Sequence, residues 1–213
     1  MTTASEHRAA RPHADPTRAR ILEAALDLFS ERSFEGASTR LIAERAGVPQ
    51  PLLSYHFGSK DELWKAAVGQ VFDELNRAMG GRVEGLRGVD DLTVAKLVVA
   101  DFVRFSAAHP ELHRIITQEC KAEGEHLQWL VGHHIRPLYD GAVSMFEPLV
   151  AAGLIRDVPA VHLYYLLTGA AATMFVLAPE CRLLSGVDPL DPAEVERHVD
   201  AVVAMLFAAP GAP

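Results

Sequence analysis

Gln50, Leu52 and Ser54 fall within five consecutive positions and carry groups able to read the edges of nucleic-acid bases. A carboxamide can pair bidentately with N6 and N7 of adenine, an aliphatic side chain can press on a thymine methyl, and a hydroxyl can donate or accept. Contacts of this kind discriminate sequence, whereas contacts to phosphate fix position and register. A second chemistry to weigh is metal binding, because Glu123 and His126 have the Glu-x-x-His spacing of di-iron bundles and His133 and His134 add nitrogen donors. Those bundles need a second such motif and two further glutamates on facing helices. The chain has no second copy and Gly124 breaks the helix, so no metal and no cofactor is expected. A Gly-rich phosphate loop, a nucleophile elbow and a paired-carboxylate motif in an apolar setting are all missing, so no enzymatic activity is expected either. The alternative kept open by the Glu-x-x-His run is a helical metalloenzyme or metal-responsive bundle protein.

The stretch that must position Gln50 runs from Ala43 to Leu63. Ala43, Ala46 and Val48 are small or apolar at the spacing of a helix that approaches another closely, and Gly47 stands where the chain has to turn. Pro49 and Pro51 lack amide hydrogens, which is harmless only in the first turn of a helix, so a short helix is expected to begin near Pro49. Leu53 and Phe57 then point inward, and Gln50, Leu52, Ser54, Tyr55 and His56 point away. A supporting helix, a glycine turn and a short helix with a hydrogen-bonding outer face form the shape that enters a DNA major groove. Upstream, Asp15 or Thr17 can cap a first helix with Pro16 in its first turn, and Ile21, Leu22, Ala25, Leu28 and Phe29 repeat at helical spacing. Gly36 marks its end. Thr39 is placed to cap the second helix, where free amides and the positive helix pole beside Arg40 make a ready phosphate site.

With Ile21, Leu22, Ala24, Ala25, Leu28 and Phe29, then Ile42, Ala43, Ala46, Gly47 and Val48, then Tyr55, His56 and Phe57, then Ser59, Lys60 and Leu63, the chain resembles the N-terminal DNA-binding domain of TetR-type transcriptional regulators. The resemblance implies an all-α protein: an N-terminal three-helix helix-turn-helix DNA-binding domain followed by a C-terminal helical ligand-binding and dimerisation domain. By position it also implies that Thr39, Arg40, Tyr55, His56 and Lys60 contact DNA phosphates. Two residues depart from the family's usual wording. Ser33 stands where Gly commonly precedes Phe34, which is expected to strain the turn after the first helix, and Ser54 stands where an aromatic residue is frequent.

The 213 residues are 49% hydrophobic and 23% charged, enough for a buried core in one or two domains. The formal charge of −8 is unevenly placed. Residues 1–60 hold eight Lys or Arg against seven Asp or Glu, and residues 61–213 hold twelve against twenty-one. An acidic body repels DNA everywhere except at the reading head, so any DNA contact must be local. Residues 1–14 read as a disordered arm carrying Arg8 and Arg11, residues 15–61 as the helix-turn-helix domain, and residues 62–213 as the regulatory and dimerisation domain. The N-terminus has no apolar signal segment, so a cytoplasmic location is expected. Cys120 and Cys181 are too isolated for a disulfide framework and read as buried thiols.

In the body, a long helix from Ser59 to Met79 should connect head to body, with Gly80, Gly81, Gly85 and Gly88 forming a linker. Helices are then expected after Asp90 or Asp91, from Pro110, and from about Glu125 to Ala152, the last opened or kinked by Pro137 and Pro148. Val158 to Ala178 is apolar on all faces. Its histidine, tyrosines and threonines argue against a membrane span, which leaves burial on two sides, one of them against a second copy of the chain. The last helix, Pro192 to Ala208, carries a valine stripe, so a homodimer interface is expected from His162, Tyr165, Gly169, Thr173, Val195, Val199, Val202 and Leu206. An unknown small-molecule effector is expected in a pocket lined by Phe102, Phe105, Glu119, Trp129, His133, Tyr139, Tyr165, Met174 and Phe175. The partners expected are therefore double-stranded DNA, a second copy and the effector, with no membrane. The function expected is a homodimeric repressor released from a palindromic operator, with a ligand-responsive activator as a further alternative.

Overall fold

A computed structural model describes residues 15–86 and 88–207, apart from the side chains at 82–84. The arm expected over residues 1–14, with Arg8 and Arg11, lies outside the described residues. Every regular element among the described residues is helical, and the chain divides into two compact units between Ala67 and Val68.

The first unit holds α1 (Pro16–Gly36), α2 (Thr39–Ala46), α3 (Pro51–Phe57) and the first turns of α4 (Lys60–Gly85). Its core is the stripe foreseen on α1, Ile21, Leu22, Ala25, Leu28 and Phe29, closed by Ile42, Ala43 and Ala46 of α2, Leu53 of α3, and Leu63 and Trp64 of α4. Phe29 stacks on Phe34 at 5.9 Å between ring centroids, and Phe34 meets Trp64 edge-on at 6.5 Å. Each large buried side chain contributes about 1.5–3 kcal/mol, against about 1 kcal/mol for a helix cap. The core therefore decides that the helices pack, and the caps decide where each one ends.

Asp15 caps α1, accepting from the Thr17 amide at 2.9 Å. The run assigned to α1 is broken at Ser33, whose φ of 62° and ψ of 172° make it the one described non-glycine residue at positive φ. That backbone region is essentially reserved for glycine, so the serine standing in a glycine's place is held there by the packing of Phe34 beyond it. Ser38, not Thr39, caps α2: its side chain accepts from the Leu41 amide at 3.2 Å. Both residues fit the composition rule, and the register of the first turn selects the earlier one.

The second unit contains the rest of α4, then α5 (Asp91–Ala108), α6 (Pro110–Glu119), α7 (Glu125–Leu130), a π turn (Val131–Ile135), α8 (Arg136–Ala151), α9 (Ala160–Val176), α10 (Ala178–Ser185) and α11 (Pro192–Leu206). Its main core gathers Ala95, Val99 and Val103 of α5, Phe146 and Leu149 of α8, Leu163, Leu167, Ala171 and Phe175 of α9, and Val199 and Val202 of α11. Asp90 and Asp191 cap α5 and α11. The helix expected from Glu125 to Ala152 is opened by the π turn just before Pro137, whose missing amide cannot continue the i to i+4 ladder.

Gly80, Gly81 and Gly85 continue α4 instead of forming a linker, and Gly88, at φ 89°, stands in a turn beyond it. Cys120 is exposed and Cys181 half-buried, since Cys120 ends α6 on its open side. Helix α10 was not foreseen: Leu177 leaves the α9 axis and Pro179 starts a new first turn, ended by Gly186 in the left-handed region. Among the described residues no single helix is long and apolar enough to cross a membrane; α9 and α10 reach that length only as a pair bent by 74°.

Candidate nucleic-acid interface

The turn between α2 and α3 is held from both ends. Gly47 closes α2 at φ 63°, and a Cβ there would come within 2.9 Å of Arg20 Nη2. The Arg20 guanidinium donates to the carbonyls of Ala46 and Gly47, satisfying groups that the end of α2 leaves open. Arg45 is bound bidentately to Glu31 at 2.7 and 2.9 Å, which ties α2 to α1 and removes Arg45 from the set of free cations. Neither arginine role is visible in the linear motif, because both partners lie more than ten residues away.

Helix α3 begins at Pro51, with Pro49 and Gln50 in the turn that leads into it: Leu52 and Leu53 donate to the carbonyls of Pro49 and Gln50 at 3.0 Å each. Both prolines thus sit where an amide has no helical partner. Leu53 is buried and fixes the rotation of the helix, leaving Gln50, Ser54 and Tyr55 exposed and Leu52 half-buried. Tyr55 is 82% exposed, packed only edge-on against His56 at 5.1 Å. Gln50 Nε2 donates to Thr39 Oγ1 at 3.1 Å, which couples the start of α3 to the start of α2.

Around this face, the amides of Thr39 and Arg40 open α2, and the Arg40 side chain is exposed. Lys60 lies in the first turn of α4, after Gly58 at φ 75° and Ser59, whose hydroxyl accepts from the Glu62 amide at 3.0 Å. Its ammonium is held 4.3 Å above the Phe34 ring, an arrangement that steadies the side chain while leaving its charge intact. His56 is placed differently from its neighbours: it is half-buried with Nε2 at 3.7 Å from the Asp15 carboxylate, so it joins α3 to the capping residue of α1. Arg18, which the motif did not single out, is exposed with its guanidinium 5.2 Å from the centroid of the Phe57 ring; a cation on α1 facing α3 is the signal that could have found it.

The residues expected around an effector are not gathered into one space. Phe175 is fully buried and meets His198 edge-on at 5.3 Å, whereas Tyr165 on the same helix is 70% exposed. Phe102 packs on the main core and faces His113 at 6.0 Å, Phe105 lies against His109 at 4.4 Å, and Trp129 stacks on His133 at 5.4 Å. Tyr139 meets Tyr164 at 5.3 Å, and Met174 lines a shallow cleft with Leu177 and Leu184. Glu119 bonds His126 Nδ1 at 2.9 Å, so the histidine of the Glu-x-x-His run pairs with a residue outside that run, and Glu123 is exposed.

On the expected dimer face, His162, Tyr165, Gly169 and Thr173 are exposed along one side of α9. Val199 and Val202 are a correction: each is 3% exposed inside the protomer's own core, with Val195 and Leu206 packed against it. The valine stripe of α11 is consumed by α5, its principal neighbour.

Two short helices joined through a left-handed glycine, the second showing a polar outer face and both seated on a third helix, define a helix-turn-helix DNA-binding domain. The chain belongs to the TetR family of bacterial regulatory proteins: residues 21–67 match the family's N-terminal domain and residues 93–206 match the tetracyclin repressor-like C-terminal domain. It is a transcription regulator of that family. It is similar to the HTH-type transcriptional repressor NicS of Pseudomonas putida, 29% identical over 148 residues and 68% of each chain. It is also similar to the HTH-type transcriptional regulator RutR of Escherichia coli, 25% identical over 182 residues, 85% of this chain and 84% of that one. A crystal structure of AibR in complex with isovaleryl coenzyme A and operator DNA shares the fold, with a TM-score of 0.74 at 19% identity over 91% of this chain and all of that one (100%). So does a TetR-like transcriptional regulator from Rhodococcus sp. RHA1, with a TM-score of 0.65 at 20% identity over 92% and 96%.

Proposed function

We propose that the protein is a homodimeric repressor that binds a palindromic operator through α3 and is released by a small-molecule effector. The observation that carries this reading is the outer face of α3, where Gln50, Ser54 and the 82%-exposed Tyr55 are presented together while Leu53 anchors the helix from behind. An aromatic ring left that exposed costs solubility and contributes nothing to the core, whereas a base edge or a phosphate gives it a partner. Gln50, Leu52 and Ser54 meet base edges; Thr39, Arg40, Tyr55 and Lys60 meet phosphates, with His56 reaching the backbone only from its place beside Asp15. The repressor NicS and the operator-bound AibR support this reading for a relative and for a neighbour in fold.

The dimer is formed through the exposed side of α9, where Val161, Tyr165 and Leu166 are 46%, 70% and 55% exposed, continued by Met205 of α11 at 58%. A two-fold axis through this face pairs the same patch on both copies and sets the half-sites about one helical turn of DNA apart, about 34 Å. The effector acts by binding one conformation of the second unit better than the other, with α4 transmitting the difference to the head. Selection of bound sequences from a random duplex pool tests the whole reading. A two-fold-symmetric site is the expected outcome, and a pool without enrichment, together with a monomeric protein in solution, overturns it.

A further inference from the structure

A cleft of about 280 Å³ opens between the C-terminal half of α8 and the start of α9. Its floor is apolar: Phe146 and Leu163 are 4% and 8% exposed, with Val150 beside them and the half-buried ring of Tyr164 at one wall. Among the described residues, the only charged ones that line it are Glu147 and Asp157. Both are exposed, and neither has a hydrogen-bond or ion-pair partner among the described residues. Two helix ends add to the field. Helix α8 ends in the cleft without a basic residue in its last turn, and α9 begins there without a side-chain cap. Their poles, of about −0.5 and +0.5 charge, offset each other and leave the two carboxylates to set the sign.

We infer that this cleft binds a small hydrophobic ammonium ion, the apolar part against Phe146, Val150 and Leu163 and the cation beside Glu147 and Asp157. An anion is repelled by both acids, and a neutral molecule gains only the apolar contact. An ammonium gains the apolar contact and the attraction of two carboxylates. Because the carboxylates are exposed, each contributes little alone; they select the ligand's charge, and the buried floor supplies most of the affinity. This names the ligand class for the effector response proposed above and rests on that reading only for its consequence at DNA.

The test uses the full chain and three probes of one shape: phenethylammonium, 2-phenylethanol and phenylacetate, titrated calorimetrically without DNA. The expected result is that phenethylammonium binds about tenfold more tightly than the alcohol and that phenylacetate does not bind. Glu147→Gln and Asp157→Asn, surface changes that leave the core intact, should each weaken the ammonium several-fold, and the double variant should bind ammonium and alcohol alike. The proposal is overturned if the alcohol matches the ammonium on the unaltered protein, if no probe binds up to its solubility limit, or if the double variant keeps the preference. Binding that leaves operator affinity unchanged supports the cleft and counts against the effector reading.

Discussion

In the proposed DNA interface, Gln50 and Lys60 stand for opposite halves of one contact, base edge and phosphate. Replacing Gln50 by Ala should cost about 1–3 kcal/mol at a single base position and relax the preference there, read from competition among single-base operator variants. Lys60→Ala should instead weaken all duplexes alike and lower the slope of log K against log salt by about 0.9; a loss confined to particular bases would refute the phosphate assignment. A third residue-scale outcome concerns pH. His113 is half-buried and its pKa is lowered from 6.5 to about 4 by loss of solvent, with Glu111 pulling upward and His109 downward. The Ser106 hydroxyl donates to the Phe102 carbonyl at 2.8 Å and can then accept from His113 Nε2 at 3.0 Å, a bond open to the neutral Nε2–H tautomer. A histidine with a lowered folded pKa contributes stability that is present above its unfolded value and lost as pH falls towards its folded one. The fold should therefore lose about 3 kcal/mol between about pH 6.5 and 4, and His113→Leu should flatten that limb in urea melts taken across the range. His109 does not mimic the effect. Its pKa is raised by its bond to Glu111, and more weakly by Glu74, so its contribution is complete at low pH and lost as pH rises through the folded value.

At the scale of elements, caps and strain decide more than propensity. Ser33→Gly removes a backbone penalty of about 1–3 kcal/mol and adds back about 0.4–1 kcal/mol of unfolded-state freedom, so the glycine variant should melt higher than the natural chain. Ser33→Ala should gain nothing; an alanine variant as stable as the glycine variant would show that Ser33 is not strained. Ser38→Ala should cost about 1 kcal/mol as a lost cap, whereas Thr39→Ala should leave stability nearly unchanged and weaken DNA binding by freeing Gln50. The helices of the first unit were legible because their apolar stripes, glycine turn and prolines are local signals. Helix α10 and the continuation of α4 through three glycines were not, because Pro179 reads equally as the end of α9 and a glycine weakens a helix without fixing where it stops.

At the scale of the molecule, the exposed side of α9 carries the dimer prediction. Tyr165→Glu combined with Leu166→Glu should give a monomer by sedimentation and abolish operator binding at concentrations where the natural chain is saturated; a dimeric double variant would exclude this face. Apolar spacing on α1, α2 and α3, the Gly47 turn and the order of the family's anchors determined an all-helical chain with a DNA-reading head, since each is a property of neighbours within a few turns. Which side of an apolar helix meets its own core is a property of distant neighbours. The valine stripe of α11, apolar enough for a second copy, is covered by α5, and of the nine residues expected to line one pocket Phe175 turns inward and Tyr165 outward. Only the tertiary structure decided these, because burial depends on the packing of segments far apart in the chain, and periodicity reports that a face is apolar without saying what covers it.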